Sequence, residues 1–288
     1  MTRKAVVTGG TGGIGFHVAM QLRRQHGFSV TIVGRDPGHG DDAVRAIGGD
    51  TRFLRADLSS LNEVRTLGAR LAGEGPLQLL VNNVGGMWST RRETADGIEA
   101  AFALNHLSPA VLTDALLDAL GAAAPSRIVE VSSSSITAAV VDGLPTYEEV
   151  EQDGEYYGMA ATGRAKLAHL AHALDLADSL NGSGVGVLVV DPLGPAAAAT
   201  PNAAAMTPEI LPPAFRGLWD QIRQGLRPAA EGARPIVAAA TDPALDGATG
   251  VVLGPDAAPS TDLLQFLTPE ISASTHTLTR RVLSGVGH

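Results

Sequence analysis

Cysteine is absent from this chain of 288 residues, which excludes disulfide bonds, thiolate zinc sites and a cysteine nucleophile. Lysine is nearly absent, because Lys4 and Lys166 are the only two lysines among 21 basic residues. No apolar run reaches the ~18 residues that a membrane helix needs. A strand-like segment starts within the first residues and leaves no room for a signal peptide. These absences predict a cytoplasmic protein without a membrane partner.

The charge balance excludes another class of partner. The net charge is −9, whereas sequence-independent binding of nucleic acid needs a basic surface. His169 and His172 stand three residues apart in a helical pattern, but no carboxylate supports them as metal ligands. We therefore expect no nucleic-acid partner and no metal. The hydrophobic content of 44% is ample for a folded core.

Short β-rich segments alternate with helical patterns along the chain. The predicted strands cover residues 5–8, 29–33, 52–55, 77–82, 127–132, 185–190 and 251–253, and the clearest helical patterns cover 18–24, 63–71, 98–120 and 164–180. Several strands are apolar throughout, as in a parallel sheet buried on both faces. The alternation predicts an α/β fold, a Rossmann-type doubly wound parallel sheet of about seven strands with helices on both faces.

Two long connections and a tail interrupt this alternation. Residues 133–157 contain an acidic stretch at 148–153, and residues 194–227 are rich in proline and alanine. Long insertions after strand ends are functional or disordered. We interpret 194–227 as a substrate lid within a single domain of residues 1–258, with a disordered surface insertion as the alternative. The tail, 259–288, either packs on that domain or is flexible.

A glycine-rich segment follows the first predicted strand and opens a helix. Residues 8–15 read Thr-Gly-Gly-Thr-Gly-Gly-Ile-Gly. Glycine allows a tight turn and close approach to a pyrophosphate, and a helix N-terminus adds free N–H groups. The strand–glycine–helix context predicts a dinucleotide site. The residues expected to form this site are Gly9, Thr11, Gly12, Gly13, Ile14 and Gly15.

The end of the second strand bears on the choice of nucleotide. An acid at this point binds the ribose 2′-hydroxyl of NAD, whereas a guanidinium suits the 2′-phosphate of NADP. Arg35 comes first and Asp36 follows it. Arg35 favours NADP(H) as the cofactor, and Asp36 leaves NAD(H) open.

Further motifs follow the strands in order. They are Asp-Leu at 57–58, Asn-Asn-Val-Gly at 82–85, Leu-Asn-His-Leu at 104–107, Ile-Val-Glu-Val-Ser-Ser at 128–133 and Arg-Ala-Lys-Leu-Ala at 164–168. With the glycine loop, this series resembles the short-chain dehydrogenase/reductase family over about residues 4–255. Residues 230–233 and 246–250 are similar to a late helix and turn of its retinol-dehydrogenase-like branch.

The resemblance implies roles for individual residues. It implies that Ser133, Lys166 and Asn105 are catalytic, with Asn105 supporting the lysine. It also implies a place at the cofactor for Asp57, Leu58, Asn83, Val84, Gly85, Lys166 and Pro192.

One position departs from the family pattern. The family has a tyrosine four residues before the lysine, and this chain has Thr162 there. A threonine hydroxyl is far less acidic than a phenol, so it is a poor general acid. The three tyrosines of the chain, Tyr147, Tyr156 and Tyr157, do not have the family spacing. Residues 191–195 also depart from the family's Pro-Gly pattern.

Three hypotheses address the missing acid. In the first, the chain is an active reductase and the proton comes from water or from a phenol of the substrate beside the ketone. In the second, Tyr156 or Tyr157 swings in as the acid. In the third, the chain is an inactive NADP(H)-binding sensor or partner protein. The presence of Ser133, Asn105 and Lys166 favours an enzyme.

The substrate is the last inference from the sequence. A reductase of this family without the tyrosine and with a proline-rich lid is similar to ketoreductases that modify aromatic polyketide antibiotics in actinomycetes. The similarity implies reduction of a ring ketone of a bulky, angucyclinone-like polyketide. Apolar side chains suited to a flat polycycle are Met87, Trp88, Phe215 and Trp219, with Thr162 beside them.

The family often forms dimers through the helices at 98–120 and 164–180. His106, His169, His172 and Asp175 make these helices polar, which leaves both monomer and homodimer open.

Overall fold

A computed structural model describes residues 2–141 and 155–285 of the chain. Seven parallel strands form one sheet in the order β3-β2-β1-β4-β5-β6-β7. The strands are β1 Lys4–Thr8, β2 Ser29–Gly34, β3 Thr51–Arg55, β4 Leu79–Asn82, β5 Ser126–Val131, β6 Val185–Val190 and β7 Val251–Leu253. The predicted α/β fold is confirmed, and each predicted strand lies within two residues of the observed one.

Helices cover both faces of the sheet. They are α1 Gly13–Arg24, α2 Pro37–Ile47, α3 Leu61–Ala72, α4 Ala100–Phe102, α5 Ser108–Gly121, α6 Ile136–Val141, α7 Gly158–Ser179, α8 Pro201–Ala204, α9 Trp219–Gln224, α10 Ala229–Thr241 and α11 Pro269–Gly285. One apolar core lies between the sheet and α1, α2 and α10. A second core lies between the opposite face and α3, α5, α7 and α11.

The strand order reverses between β1 and β4, since β2 and β3 lie on one side of β1 and β4 to β7 on the other. Connections from β1 and β4 therefore diverge to opposite faces and open a crevice at the carboxyl ends of these strands. The glycine loop follows β1 and the Asn-Asn-Val-Gly motif follows β4, so both lie at this crevice.

The helical pattern predicted at 98–120 differs in one respect. It contains a π-helical turn, Ala103–Leu107, between α4 and α5. By length and composition the combined segment Ala100–Gly121 would be long and apolar enough to cross a membrane, which corrects the expectation that no run suffices. Of its 18-residue window, 72% is buried inside the fold, as in a core helix.

The predicted connection at 133–157 is not one loop, because α6 lies within it. Its acidic stretch at 148–153 and Tyr147 lie outside the described residues.

The insertion at 194–227 is tied at its two ends. Ala199 N donates to Arg227 O at 2.7 Å, and Arg227 N donates to Ala197 O at 2.9 Å. Between them lie α8, two 3₁₀ turns at Pro208–Ile210 and Pro213–Leu218, and α9. Ile210 and Leu211 are buried and anchor the middle of the segment.

The chain after residue 259 folds back as α11 against α7. Ile271 and Leu278 join the core that α7 helps to form. His106 Nε2, in the π turn, is hydrogen-bonded to Thr279 Oγ1 of α11 at 2.7 Å. His106 and His169 are buried inside the fold, whereas His172 is half-buried and Asp175 is exposed.

Candidate cofactor and active site

The glycine loop after β1 has the backbone geometry that only glycine adopts freely. Gly9 has φ +65° and Gly13 has φ +54°, both in the left-handed region. A side chain at Gly15 would overlap the carbonyl of Gly9. Gly12 has open space around it and is the N-cap of α1 without a side-chain hydrogen bond. The first N–H groups of α1 are therefore free for an anion, which fits a pyrophosphate.

Thr8 joins the loops after β1 and β4. Its Oγ1 accepts hydrogen bonds from the N–H groups of Asn83 and Val84, each at 3.0 Å. The Asn83 amide donates in turn to Thr8 O at 3.0 Å. The sequence motif includes this threonine, but its role in joining the two loops was not predicted. These bonds hold the two sides of the crevice together.

The end of β2 separates the two side chains that bear on nucleotide choice. Asp36 is the N-cap of α2, where its Oδ1 accepts from His39 N at 2.8 Å. That backbone hydrogen bond is the main cause that lowers the pKa of Asp36, and the charge of Arg35 adds to it. Arg35 is exposed and has no hydrogen bond or ion pair to another described residue. The Asp36 carboxylate is thus engaged in capping α2, whereas the Arg35 guanidinium is available to bind a nucleotide.

Asp57 and Leu58 follow β3. Asp57 Oδ1 accepts from Ser59 N at 3.0 Å and from Ser59 Oγ at 2.7 Å, and Leu58 is buried. Asp57 N donates to Glu63 Oε2 at 2.8 Å. These bonds order the turn at the predicted adenine position.

Lys166, Asn105 and Gly85 come together on the other side of the crevice. Lys166 is buried, and its Nζ donates to Val131 O at 2.7 Å. A Cβ placed on Gly85 would lie 3.8 Å from that Nζ and 2.8 Å from Asn105 Oδ1. Since Gly85 is exposed, the lysine and asparagine lie just behind the surface of the crevice.

The π turn presents Asn105 to the loop after β4. The Asn105 amide donates to Gly86 O at 2.8 Å and to Ala101 O at 2.9 Å, and its Oδ1 accepts from Gly86 N at 3.2 Å. Both polar ends of the side chain are thus engaged, which explains why an asparagine suits this buried place.

Ser133 and Thr162 lie where α7 packs on the turn after β5. A side chain at Gly163 would overlap Ser135 O, so the helix and the turn are in close contact. Ser133 Oγ accepts from Ser135 N at 3.1 Å and is half-buried. Thr162 Oγ1 donates to Gly86 O at 3.2 Å. Thr162 lies one helical turn before Lys166, and its hydroxyl proton is already bonded to a backbone carbonyl.

The predicted substrate residues fall into two groups. Met87 and Trp88 pack against the start of α7, where a side chain at Gly158 would overlap Trp88 O. Phe215 and Trp219 lie in the insertion and are half-buried. The two groups lie on different segments of the chain, the loop after β4 and the insertion.

The insertion nevertheless reaches both sides of the crevice. The Arg216 guanidinium lies 5.7 Å from the centre of the Tyr157 ring, which is the N-cap of α7. Thr200 Cγ2 lies 3.4 Å from a Cβ placed on Gly13. Pro192, after β6, is buried, and the neighbouring Asp191 Oδ1 accepts from Gly194 N at 3.1 Å.

The phenols of Tyr156 and Tyr157 are both bonded to carboxylates. Tyr156 OH donates to Glu99 Oε1 at 3.1 Å, and Tyr157 OH donates to Glu155. Burial, followed by the charge of Glu99, raises the pKa of Tyr156. A raised pKa makes this phenol a weaker acid where it lies, and both tyrosines would have to leave their carboxylate partners to act as the acid.

The structure pairs His169 with an unforeseen partner. His169 Nε2 is 2.8 Å from Glu130 Oε2, and both residues are buried. Within residues 2–141 and 155–285, no group of three His, Asp or Glu side chains has a metal-binding arrangement.

Comparison with known proteins now decides the family. A sequence model described as short chain dehydrogenase matches residues 3–147, about half of the chain. The chain belongs to the short-chain dehydrogenase/reductase family.

Curated relatives include retinol dehydrogenases. Mouse retinol dehydrogenase 12 is 36% identical over 193 residues, which cover 65% of this chain and 60% of that protein. Human retinol dehydrogenase 13 is 34% identical over 197 residues, covering 66% and 58%. The short-chain dehydrogenase TIC 32 A of Brassica napus, a chloroplast protein, is 33% identical over 196 residues, covering 64% and 61%. The chain thus spans about three fifths of the length of these relatives.

Solved structures share the short-chain dehydrogenase fold over nearly the whole chain. An uncharacterised Mycobacterium paratuberculosis protein has a TM-score of 0.72 at 24% identity, covering 98% of this chain and 93% of that one. The RhlG/NADP active-site complex of Pseudomonas aeruginosa has a TM-score of 0.66 at 26% identity, covering 88% and 94%.

Proposed function

We propose that this protein is an NAD(P)H-dependent oxidoreductase, a ketoreductase that reduces a ring ketone of a bulky, angucyclinone-like aromatic polyketide to an alcohol in antibiotic biosynthesis. The proposal rests on the set of side chains that the crevice brings together. Lys166, Asn105 and Ser133 are present around it, but the position of the usual acid holds Thr162, whose hydroxyl donates to Gly86 O. Such a site needs its proton from the substrate or from water.

The crevice fits a dinucleotide on its own geometry. The free N–H groups at the start of α1 and the open space at Gly12 suit a pyrophosphate. Gly34 closely approaches Thr11, which places the exposed Arg35 beside the glycine loop. Asp36 is engaged as the cap of α2. We therefore favour NADP(H) over NAD(H). A bound nicotinamide supplies the hydride.

The side chains of this site hold and polarise the ketone. The Lys166 ammonium places positive charge near the atom that becomes an alkoxide. Ser133 can turn its hydroxyl hydrogen towards the same oxygen, since its Oγ only accepts a bond from Ser135 N. The proton passes to the carbonyl oxygen from a phenol of the substrate beside the ketone, or from water. Holding the ketone close to the hydride donor lowers the activation free energy by about several kcal/mol.

The apolar surroundings support a bulky substrate. Met87 and Trp88 lie at the start of α7, and the insertion carrying Phe215 and Trp219 meets this helix at Tyr157. The names of the retinol dehydrogenase relatives also point to a large apolar substrate. We propose that the insertion is the lid, and that the protein acts in the cytoplasm.

The test is a mass-spectrometric assay with NADPH and a panel of angucyclinone and anthraquinone ketones. The expected product gains two hydrogens while NADPH is consumed, and Lys166→Ala abolishes it. Thr162→Ala is expected to change the rate less than about threefold, since a threonine is a poor acid. A severe loss in Thr162→Ala alone would contradict the substrate-supplied proton. Panel members with the phenol methylated should react much more slowly.

The alternative is the NADP(H)-binding sensor, with Lys166 gripping the cofactor but no turnover. No product from any ketone, together with tight NADPH binding in the same preparation, would favour it.

A further inference from the structure

Lys166 presents an electrostatic problem that the family resemblance does not address. The side chain is 6% exposed, and Val131 O accepts its single hydrogen bond to a described residue. An ammonium has three N–H donors, so two remain. Burial disfavours the charged form and lowers the pKa of Lys166 from 10.5 to about 8. Any further fall would leave the lysine neutral at physiological pH.

The residue before Val131 on β5 supplies a countercharge. Glu130 is 1% exposed, and its carboxylate is bonded on both oxygens. Oε2 faces His169 Nε2 at 2.8 Å, and Oε1 accepts from Asn82 Nδ2 at 2.9 Å. The same Asn82 amide donates to Thr113 Oγ1 at 2.8 Å. A buried carboxylate held in this way can stay ionised.

The pKa of Glu130 agrees with this geometry. Burial by itself raises it, but the charge and hydrogen bond of His169, together with the bond from Asn82, outweigh burial and lower it. The negative charge of Glu130 raises the pKa of Lys166 against the effect of burial. His169 lies three residues after Lys166 on α7, one helical turn away. Strand β5 and helix α7 thus bring the carboxylate, its partner and the ammonium together.

We propose that Glu130, held by His169 and Asn82, is a positioning residue of the cofactor site, whose carboxylate keeps the Lys166 ammonium charged so that its two remaining N–H donors can hold the nicotinamide nucleotide. The inference rests on the proposed function only in using Lys166 as a cofactor ligand. The charge relation between Glu130 and Lys166 stands without it.

Other titratable groups surround this pair. They are His169, His172 and Asp175 on α7, His106 in the π turn and His276 on α11, which pairs with Asp175. Burial and neighbouring imidazoles lower the pKa of His172 to about 4 and that of His106 well below 6.5. Both are therefore neutral between pH 6 and 9 and do not titrate with Lys166.

The lysine content of the chain makes a direct test possible. Only Lys4 and Lys166 would give side-chain signals in protein labelled with ¹³C,¹⁵N-lysine. Lys4 donates to Glu74 O at the far end of β1, and Lys4→Arg assigns its signal. Titration without cofactor should give a midpoint for Lys166 that falls by about one pH unit in Glu130→Gln.

Glu99→Gln is the matched control. Glu99 is also buried, but its oxygens accept from the N–H groups of Ala101 and Phe102, and it does not shift the pKa of Lys166. The Lys166 midpoint should be unchanged in this variant. Equal midpoints in wild type and Glu130→Gln would overturn the proposal.

Calorimetric binding of NADP⁺ gives the second readout. A midpoint lowered by one unit predicts binding about fivefold weaker than wild type at pH 8 and nearly equal binding at pH 6. A structural defect would weaken binding at both pH values alike, and that result would contradict the proposal.

A second set of variants covers the case in which Glu130→Gln does not fold. His169→Gln retains an N–H donor for Glu130 but no charge, so it should lower the Lys166 midpoint less than His169→Leu does. Identical midpoints in these two variants would overturn the proposed role of His169. If no ketone is reduced but the lysine midpoint shifts as expected, the proposed function fails and this inference stands.

Discussion

The two sides of the crevice hold their charges differently. On the β1–β3 side, the backbone of the glycine loop and the start of α1 form the proposed anion site, and Arg35 and Asp36 are exposed. On the β4–β7 side, Glu130, Lys166 and His169 are buried, and their charge states depend on one another. The first side is sensitive to added atoms, and the second is sensitive to pH and to the loss of a partner.

One added methyl group is expected to disrupt the glycine-loop side of the crevice. Gly15→Ala would place a Cβ onto Gly9 O, so we expect a loss of about 3 kcal/mol in unfolding free energy and of most NADP⁺ binding. Gly12→Ala is the control for stability, because Gly12 has φ −167° and no atom within 4 Å of its Cβ position. Thermal unfolding and calorimetry would check both. Equal stability of the two variants would contradict the steric account.

On the β4–β7 side of the crevice, the buried charge of Lys166 is expected to lower the stability of the folded protein. Burial lowers the pKa of Lys166 from 10.5 to about 8 in the folded protein. Below pH 8, keeping this ammonium charged inside the fold therefore lowers the unfolding free energy by about 3 kcal/mol. Lys166→Met should therefore raise the unfolding free energy by about 1–3 kcal/mol at pH 7 and lose activity.

Denaturant unfolding at pH 7 and pH 9.5 would measure this. The gain should shrink at pH 9.5, since the wild-type penalty diminishes above the folded-state pKa. A Lys166→Met protein that is less stable than wild type at pH 7 would contradict it.

Acid should act on two imidazoles of the same side, the buried His106 and the half-buried His172. The folded-state pKa of His172 is about 4 and that of His106 is also lowered, so the unfolded chain binds protons that the folded chain does not. Their contribution to stability is complete above pH 6.5 and is lost as the pH falls below it, at up to about 1.4 kcal/mol per pH unit for each histidine.

Thermal unfolding between pH 7 and 5 would test this, with His172→Gln expected to reduce the slope. An identical slope in that variant would assign the acid sensitivity to other groups.

The smallest effect concerns the exposed charges beside the glycine loop. Asp36→Ala removes the cap on α2 and should slightly lower the unfolding free energy, with little effect on NADP⁺ binding. Arg35→Ala should leave stability within about 0.5 kcal/mol and weaken NADP⁺ binding more than NAD⁺ binding. If Asp36→Ala instead weakens NAD⁺ binding strongly, the carboxylate binds the ribose as well.

Features that depend on a few neighbouring residues were predictable. The seven strands follow from apolar runs, and the glycine loop follows from its place between a strand and a helix. Asp36 was treated as a nucleotide contact, although an aspartate before Pro37 is also a helix-start signal, and the structure uses it as the cap.

Pairs distant in sequence were not predictable. Glu130 and His169 are 39 positions apart, and His106 and Thr279 are 173 apart. His169 in a helical pattern gives no sign of which partner faces it.

The sequence by itself determined the order of strands and helices, the glycine loop between β1 and α1, and the spacing of Thr162 four residues before Lys166. These depend on local backbone preferences and on the spacing of side chains along one element. Only the tertiary structure decided which charges are buried together, because β5, α7 and the π turn must first pack. The cost of removing Lys166, Glu130 and the histidines from water depends on that packing, and so does the charge that the site can offer.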